Sequence, residues 1–175
     1  LGTLWGDGYM VKENLPIRWF YTGMIYYFIP CLQCGMQVTL TFQSLIHFTD
    51  WVVGHAHLVM FGVFSMWIYG FMTHLIPRLL NRPWYSSRLA EWDFWLSAVG
   101  VFLMFLDLGL AGVFQGFYWA GLEPWEVMLN GSQSFWIVRM FAGLMMFGGF
   151  LCFVCNIWKT IRSEVPAGEL SESGF

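Results

Sequence analysis

From Trp51 to Pro77 the sequence runs without a single Asp, Glu, Lys or Arg (WVVGHAHLVMFGVFSMWIYGFMTHLIP), yet it carries two histidines two residues apart, His55 and His57. An uncharged stretch of this length can cross a bilayer, which takes about 20 apolar residues. In lipid no water satisfies free N–H and C=O groups, so a lone apolar stretch crosses as a helix. The run commits the chain to an all-α integral membrane architecture. Composition agrees: the chain is 58% hydrophobic, 21% aromatic and only 11% charged, outside the range of soluble domains. Its 11 Trp and 18 Phe suit aromatic interfaces and the packing of large flat cofactors. A formal net charge of −3 gives no basis for a nucleic-acid partner.

Successive helical residues are set about 100° apart, so His55 and His57 point about 200° apart and cannot easily share one metal. Ionisable side chains inside a span are rare and mostly functional. One reading is a helix serving two cofactors, each imidazole ligating a different iron from a different face. The other is two polar side chains hydrogen-bonded between packed helices.

Four spans are predicted, at about 16–45, 51–77, 92–120 and 134–161. Pro16 suits a first helical turn, and Pro30 is expected to kink the first span. The segments Arg78–Asp93 and Gly121–Gln133, rich in Pro, Asn, Gly and Ser, read as polar connections. Residues 1–163 thus form a four-helix transmembrane segment, and the acidic, small-residue stretch 164–175 is expected to be a disordered cytoplasmic tail. The chain opens on Leu rather than Met, which fits a part of something longer.

With four spans, both ends and the connection between spans two and three share a side. That side holds Lys12, Arg18, Arg78, Arg82, Arg88, Lys159 and Arg162, whereas the other holds Arg139 alone, beside His47, Asp50, Glu123 and Glu126. Lys and Arg concentrate on the cytoplasmic side, so the ends are expected there. His55 and His57 then lie about 6 and 9 Å below the outer end of their helix. An electron donor on the outer face would have a short path in.

The block His47-Phe48-Thr49-Asp50-Trp51-Val52-Val53-Gly54-His55-Ala56-His57 resembles the tenth-helix signature of the haem-copper oxidase catalytic subunit. It is most similar to the C-family, cbb(3)-type cytochrome c oxidases, whose pattern there is H-Y-T-D-W-x-x-G-H-x-H. The similarity continues through His74-Leu75-Ile76-Pro77-Arg78, Gln115-Gly116, Val138-Arg139-Met140 and Asn156-x-Trp158-Lys159-Thr160. It implies four transmembrane helices that are the last third of a twelve-helix bundle, in a bacterial plasma (inner) membrane. It also implies reduction of oxygen to water with proton translocation, and two haems, taken as b-type. Carried over, His55 is the axial ligand of the high-spin haem and His57 an axial ligand of the low-spin haem; neutral imidazole is a common iron ligand. His47 and Arg139 are placed as haem-propionate contacts. Interfacial roles remain open for both, with Arg139 snorkelling and Asp50 capping the helix.

The resemblance also requires a copper held by three histidines, a second axial histidine and a redox-active tyrosine, all from earlier helices. This chain has only four histidines, so it does not ligate the copper itself. The expected partners are therefore the preceding helices of the same subunit and, as electron donor, c-type cytochrome subunits or a soluble cytochrome c. Three alternatives stay open: a nitric oxide reductase catalytic subunit, a non-catalytic dihaem electron carrier, which would need a facing histidine for each haem, and a degenerate paralogue with a structural function only.

Phe48 stands where the family pattern has tyrosine. Gln33 falls where cbb(3) subunits tend to carry a glutamate, and an amide cannot titrate. Asp107 lies mid-span, where it either belongs to a proton path or bonds to a neighbouring helix. Cys31-x-x-Cys34 and Cys152-x-x-Cys155 lie in apolar helices, where cysteine behaves as a small hydrophobe. Gly109, Gly112 and Gly116 read as close-packing positions on the third span.

Overall fold

A computed structural model of the chain describes residue 6 and residues 8–163, so the tail expected at 164–175 lies outside the described residues. In chain order the helices are α1 (Tyr9–Glu13), α2 (Leu15–Gln37), α3 (Leu40–Ile46), α4 (Asp50–Leu80), α5 (Ser87–Ala120) and α6 (Trp125–Arg162). Three of them, α4, α5 and α6, are long and apolar enough to cross a membrane.

The stretch expected as one span over 16–45 divides at Val38–Thr39. Thr39 has extended backbone, and its hydroxyl donates to the Met36 carbonyl at 2.7 Å. Two consecutive β-branched residues there also weaken helix propensity. Upstream, α2 starts where Asn14 Oδ1 accepts from the Ile17 amide at 3.1 Å, with Pro16 in the first turn. It continues through Pro30 as one helix.

The helix caps also revise two expectations. The N-cap of α4 is Thr49, whose hydroxyl accepts from the Trp51 amide, and not Asp50, which lies in the first turn. Both connections are shorter than expected: α5 begins at Ser87, capped by Ser86, and α6 begins at Trp125. Hydropathy marks the lipid-facing length of a helix, whereas its ends are set by caps, and Glu126 suits the positive N-terminal end of α6. Asn81, with φ 49°, closes α4 in the left-handed conformation.

Lipid tails are as apolar as leucine, so helices in a membrane associate through close packing and interhelical hydrogen bonds. The central helix α5 follows this rule. A Cβ on Gly112 would fall on the Trp51 backbone, and one on Gly116 on the Leu45 carbonyl. Gly109 is different, because its Cβ would meet only the Trp51 ring at 3.8 Å, an ordinary contact. On another face of α5, a Cβ on Gly100 would crowd Met146 and the Ala142 carbonyl of α6.

Polar side chains lock the ends. At one end of the bundle Asn156 Nδ2 donates to the Ser86 carbonyl at 2.9 Å, while its Oδ1 accepts from the Ser86 amide at 3.1 Å. One turn on, Thr160 Oγ accepts from the Tyr85 amide at 3.0 Å. Arg18 of α2 pairs with Glu91 of α5 at 2.5 Å at this same end. Between the ends, Trp19 stacks on Tyr69 at 5.0 Å and meets the edge of Phe94, joining α2, α4 and α5 in one core with Tyr26, Leu58 and Met66.

Candidate functional site

His55 and His57 both lie in the first two turns of α4, which are regular α-helix from Asp50 to His57. Gly54 sets their orientation. It is buried on α5, where a Cβ would come within 2.9 Å of Leu108 and 3.3 Å of the Gly109 amide. With Gly54 pinned there, its neighbour His55 turns towards α2.

The His55 ring meets two α2 side chains. Its Nδ1 lies 3.1 Å from Gln33 Oε1, and its Nε2 lies 3.8 Å from Cys34 Sγ. An amide oxygen can only accept, so Nδ1 is the protonated nitrogen and Nε2 keeps its lone pair. Gln33 is only 6% exposed, so this bond is sheltered.

His57 bonds back onto its own helix instead. Its Nδ1 donates to the Val53 carbonyl at 2.8 Å, and its ring lies 5.5 Å from that of Phe61. A carbonyl too only accepts, so the lone pair is again on Nε2. The hydrogen bond at one ring nitrogen decides which nitrogen is free for a metal. In the neutral ring both imidazoles therefore present Nε2 as the donor atom, that of His55 with the Cys34 thiol 3.8 Å away, and a neutral imidazole nitrogen fits haem iron. The helix widens immediately afterwards into a π-helical stretch, Leu58–Ser65, where Ser65 Oγ donates to the Met60 carbonyl five residues back at 2.9 Å. Such stretches are rare and frequent at functional sites.

The N-terminal end of α4 is held by a two-point contact. The Asp50 amide donates to Gln115 Oε1, and Gln115 Nε2 donates to Asp50 Oδ2, both at 2.8 Å. Arg139 of α6 approaches the other Asp50 oxygen at 4.0 Å with its side chain 41% exposed. His47 is exposed beside the Phe48 ring, 4.0 Å between centroids, and Phe48 itself takes a left-handed φ of 63°. The residues nominated for anionic contacts thus gather at one end, with Arg139 turned to a carboxylate of the chain itself.

The remaining candidates lie apart. His74, exposed near the far end of α4, lines a cavity of about 530 Å³ with Glu13, Arg78 and Glu91. Asp107 is 6% exposed on α5, and its Oδ2 makes no hydrogen bond to a neighbouring helix. The two CxxC pairs sit on α2 and α6, and among the described residues no three His, Cys, Asp or Glu side chains converge as a metal site.

Spacing alone did not reveal the contact of Gln33 with His55 or of Gln115 with Asp50, because each joins helices far apart in sequence. One signal was available: an amide in an apolar span needs a partner.

The family profile described as "Cytochrome C and Quinol oxidase polypeptide I" matches residues 1–158. The chain is 27% identical over 173 residues to "Cbb3-type cytochrome c oxidase subunit CcoN1" of Stutzerimonas stutzeri, covering 94% of the chain and 36% of that protein. It is 26% identical over 179 residues to "Cytochrome c oxidase subunit 1" of Rhodobacter capsulatus, covering 98% of the chain and 34% of that protein. It is also 25% identical over 132 residues to a nitric oxide reductase subunit of Stutzerimonas stutzeri, covering 69% of the chain and 27% of that protein. The chain spans about a third of the length of the first two relatives.

Proposed function

This chain belongs to the cytochrome c and quinol oxidase polypeptide I family, and from that premise we propose that it forms the last four spans of a respiratory terminal oxidase catalytic subunit. In this reading α2 is a fourth crossing beside α4, α5 and α6. His55 Nε2 would hold the iron of a high-spin haem and His57 Nε2 the iron of a low-spin haem. Both haems are b-type. Bound there, they supply an electron relay and an iron at which oxygen is reduced to water, with coupled proton translocation.

The observation that carries the reading is the state of the two imidazoles. Each places Nδ1 against a fixed acceptor, Gln33 Oε1 or the Val53 carbonyl, which in the neutral ring makes Nε2 the lone-pair nitrogen. A hydrogen bond at the second nitrogen orients a ligating imidazole and raises its basicity. Because one helix holds both donors two residues apart, the separation of the two irons is fixed by α4. The Asp50–Gln115 contact holds α4 against α5 at the end where both histidines lie. His47 and Arg139, at that same end, are the side chains for haem propionates, with Arg139 shared with Asp50.

The oxidase works with the earlier helices of its own polypeptide, which supply copper, and with a cytochrome c-type donor at the outer face of a bacterial plasma membrane. The similarity to a nitric oxide reductase favours one second reading, in which the same histidine pair serves nitric oxide reduction. Haem extraction tests the shared core of both. Complexes carrying His55→Ala or His57→Ala should each lose one non-covalently bound haem, and the double variant two. Unchanged haem content in all three contradicts the reading.

A further inference from the structure

We propose that Gln33 is a positioning residue whose neutral amide sets the donor strength of His55, and with it the reduction potential of the iron that His55 holds. The proposal rests on His55 being a haem ligand. Gln33 Oε1 is the acceptor for His55 Nδ1, at 3.1 Å, and the side chain is only 6% exposed, so water does not compete for the bond. The helix that carries it is firmly seated. Gly23 of α2 sits so close to α4 that a Cβ would come within 2.6 Å of the Trp67 ring, and the Tyr26 hydroxyl donates to the Ala98 carbonyl at 2.8 Å.

The chemistry follows from what an acceptor does to an imidazole. A carboxylate at Gln33's place would draw the Nδ1 proton strongly, push charge towards Nε2 and stabilise the ferric iron. An amide oxygen carries no net charge and draws the proton less. The iron of His55 is thereby held at a higher potential than an anionic partner would give, and no proton exchange at this position accompanies its reduction. His57 is the internal contrast, because its acceptor is a backbone carbonyl of its own helix, which no side-chain substitution can charge.

The test uses the assembled oxidase complex with wild-type chain, Gln33→Glu and Gln33→Leu. It combines spectroelectrochemical titration of both haems with the iron–histidine stretch of the ferrous carbon monoxide-reactive haem by resonance Raman. Gln33→Glu is near-isosteric and should shift that haem's reduction equilibrium at least tenfold towards the oxidised form, about 59 mV for a one-electron couple. Its iron–histidine frequency should rise. Gln33→Leu, which removes the acceptor, should move both readings the other way, and the low-spin haem should stay put in both variants. Two intact haems with unmoved potential and frequency in Gln33→Glu overturn the proposal. A carbon monoxide-reactive haem that survives His55→Ala overturns instead the ligand assignment beneath it.

Discussion

Where α4 meets α5 the chain is built from small residues and shared hydrogen bonds; where α4 turns away from α5 it is built from large, uncovered apolar side chains. On the first side stand Gly54, Gly112 and the Asp50–Gln115 contact. On the second, Val53, Met60, Phe61, Phe64 and Ile68 are exposed. His55 and His57 sit at the margins between the two. The tight side favours one rotation of α4 about its axis, since a Cβ in place of Gly54 or Gly112 would collide with the facing helix, and the Asp50–Gln115 contact fixes the register. The open side supplies area for what packs on it. The proposed site, with two irons at constant separation, would need both: a fixed frame and uncovered area beside it.

The strongest way to break this contrast is to thicken the tight side. Gly112→Ala puts a methyl on the Trp51 backbone, which cannot step aside as a side chain would. We expect about 3 kcal/mol or more, at or beyond the upper end of usual overpacking, read as loss of assembled, haem-loaded complex. Gly109→Ala, three residues earlier, meets only the Trp51 ring at 3.8 Å and should assemble normally. Equal behaviour of the two variants would remove the packing argument.

A middle-sized effect is expected at the far end. Asn156→Leu leaves the Ser86 amide without its partner and the Ser86 carbonyl with the Ala90 amide alone. The expected destabilisation is about 1–3 kcal/mol by denaturant titration, with haem spectra preserved in the folded fraction, because this clamp is remote from the histidines. Smallest of all is Arg139→Gln. Its 4.0 Å approach to Asp50 is long and its side chain is 41% exposed, so the stability change should stay below about 1 kcal/mol. A larger loss of stability would mean that the salt bridge holds α6 in place.

Much of this was legible in the sequence, in uneven measure. The all-α membrane class followed from the uncharged run over 51–77, because lipid allows few ways to satisfy a backbone. Close packing at Gly112 and Gly116 followed from their spacing on one helix face, although Gly109 proved only an ordinary neighbour. The break after Gln37 was not legible from hydropathy, since Val38 and Leu40 are apolar and the interruption comes from backbone conformation at Thr39. The cap at Thr49 was hidden by Asp50, an equally good cap by residue type. The π-helical widening at Leu58–Ser65 has no residue signature that periodicity could detect. The environment of His55 was the least legible part, because Gln33 lies on another helix and only tertiary packing brings it to the ring.

The central claim is that one helix holds two different haems through His55 and His57. Reduced-minus-oxidised and carbon monoxide difference spectra of the intact complex, recorded for wild type, His55→Ala and His57→Ala, test it most directly. The account predicts that His55→Ala removes only the carbon monoxide-reactive haem and that His57→Ala removes the low-spin signal. Spectra unchanged in both variants would leave the two histidines as packing residues and contradict it.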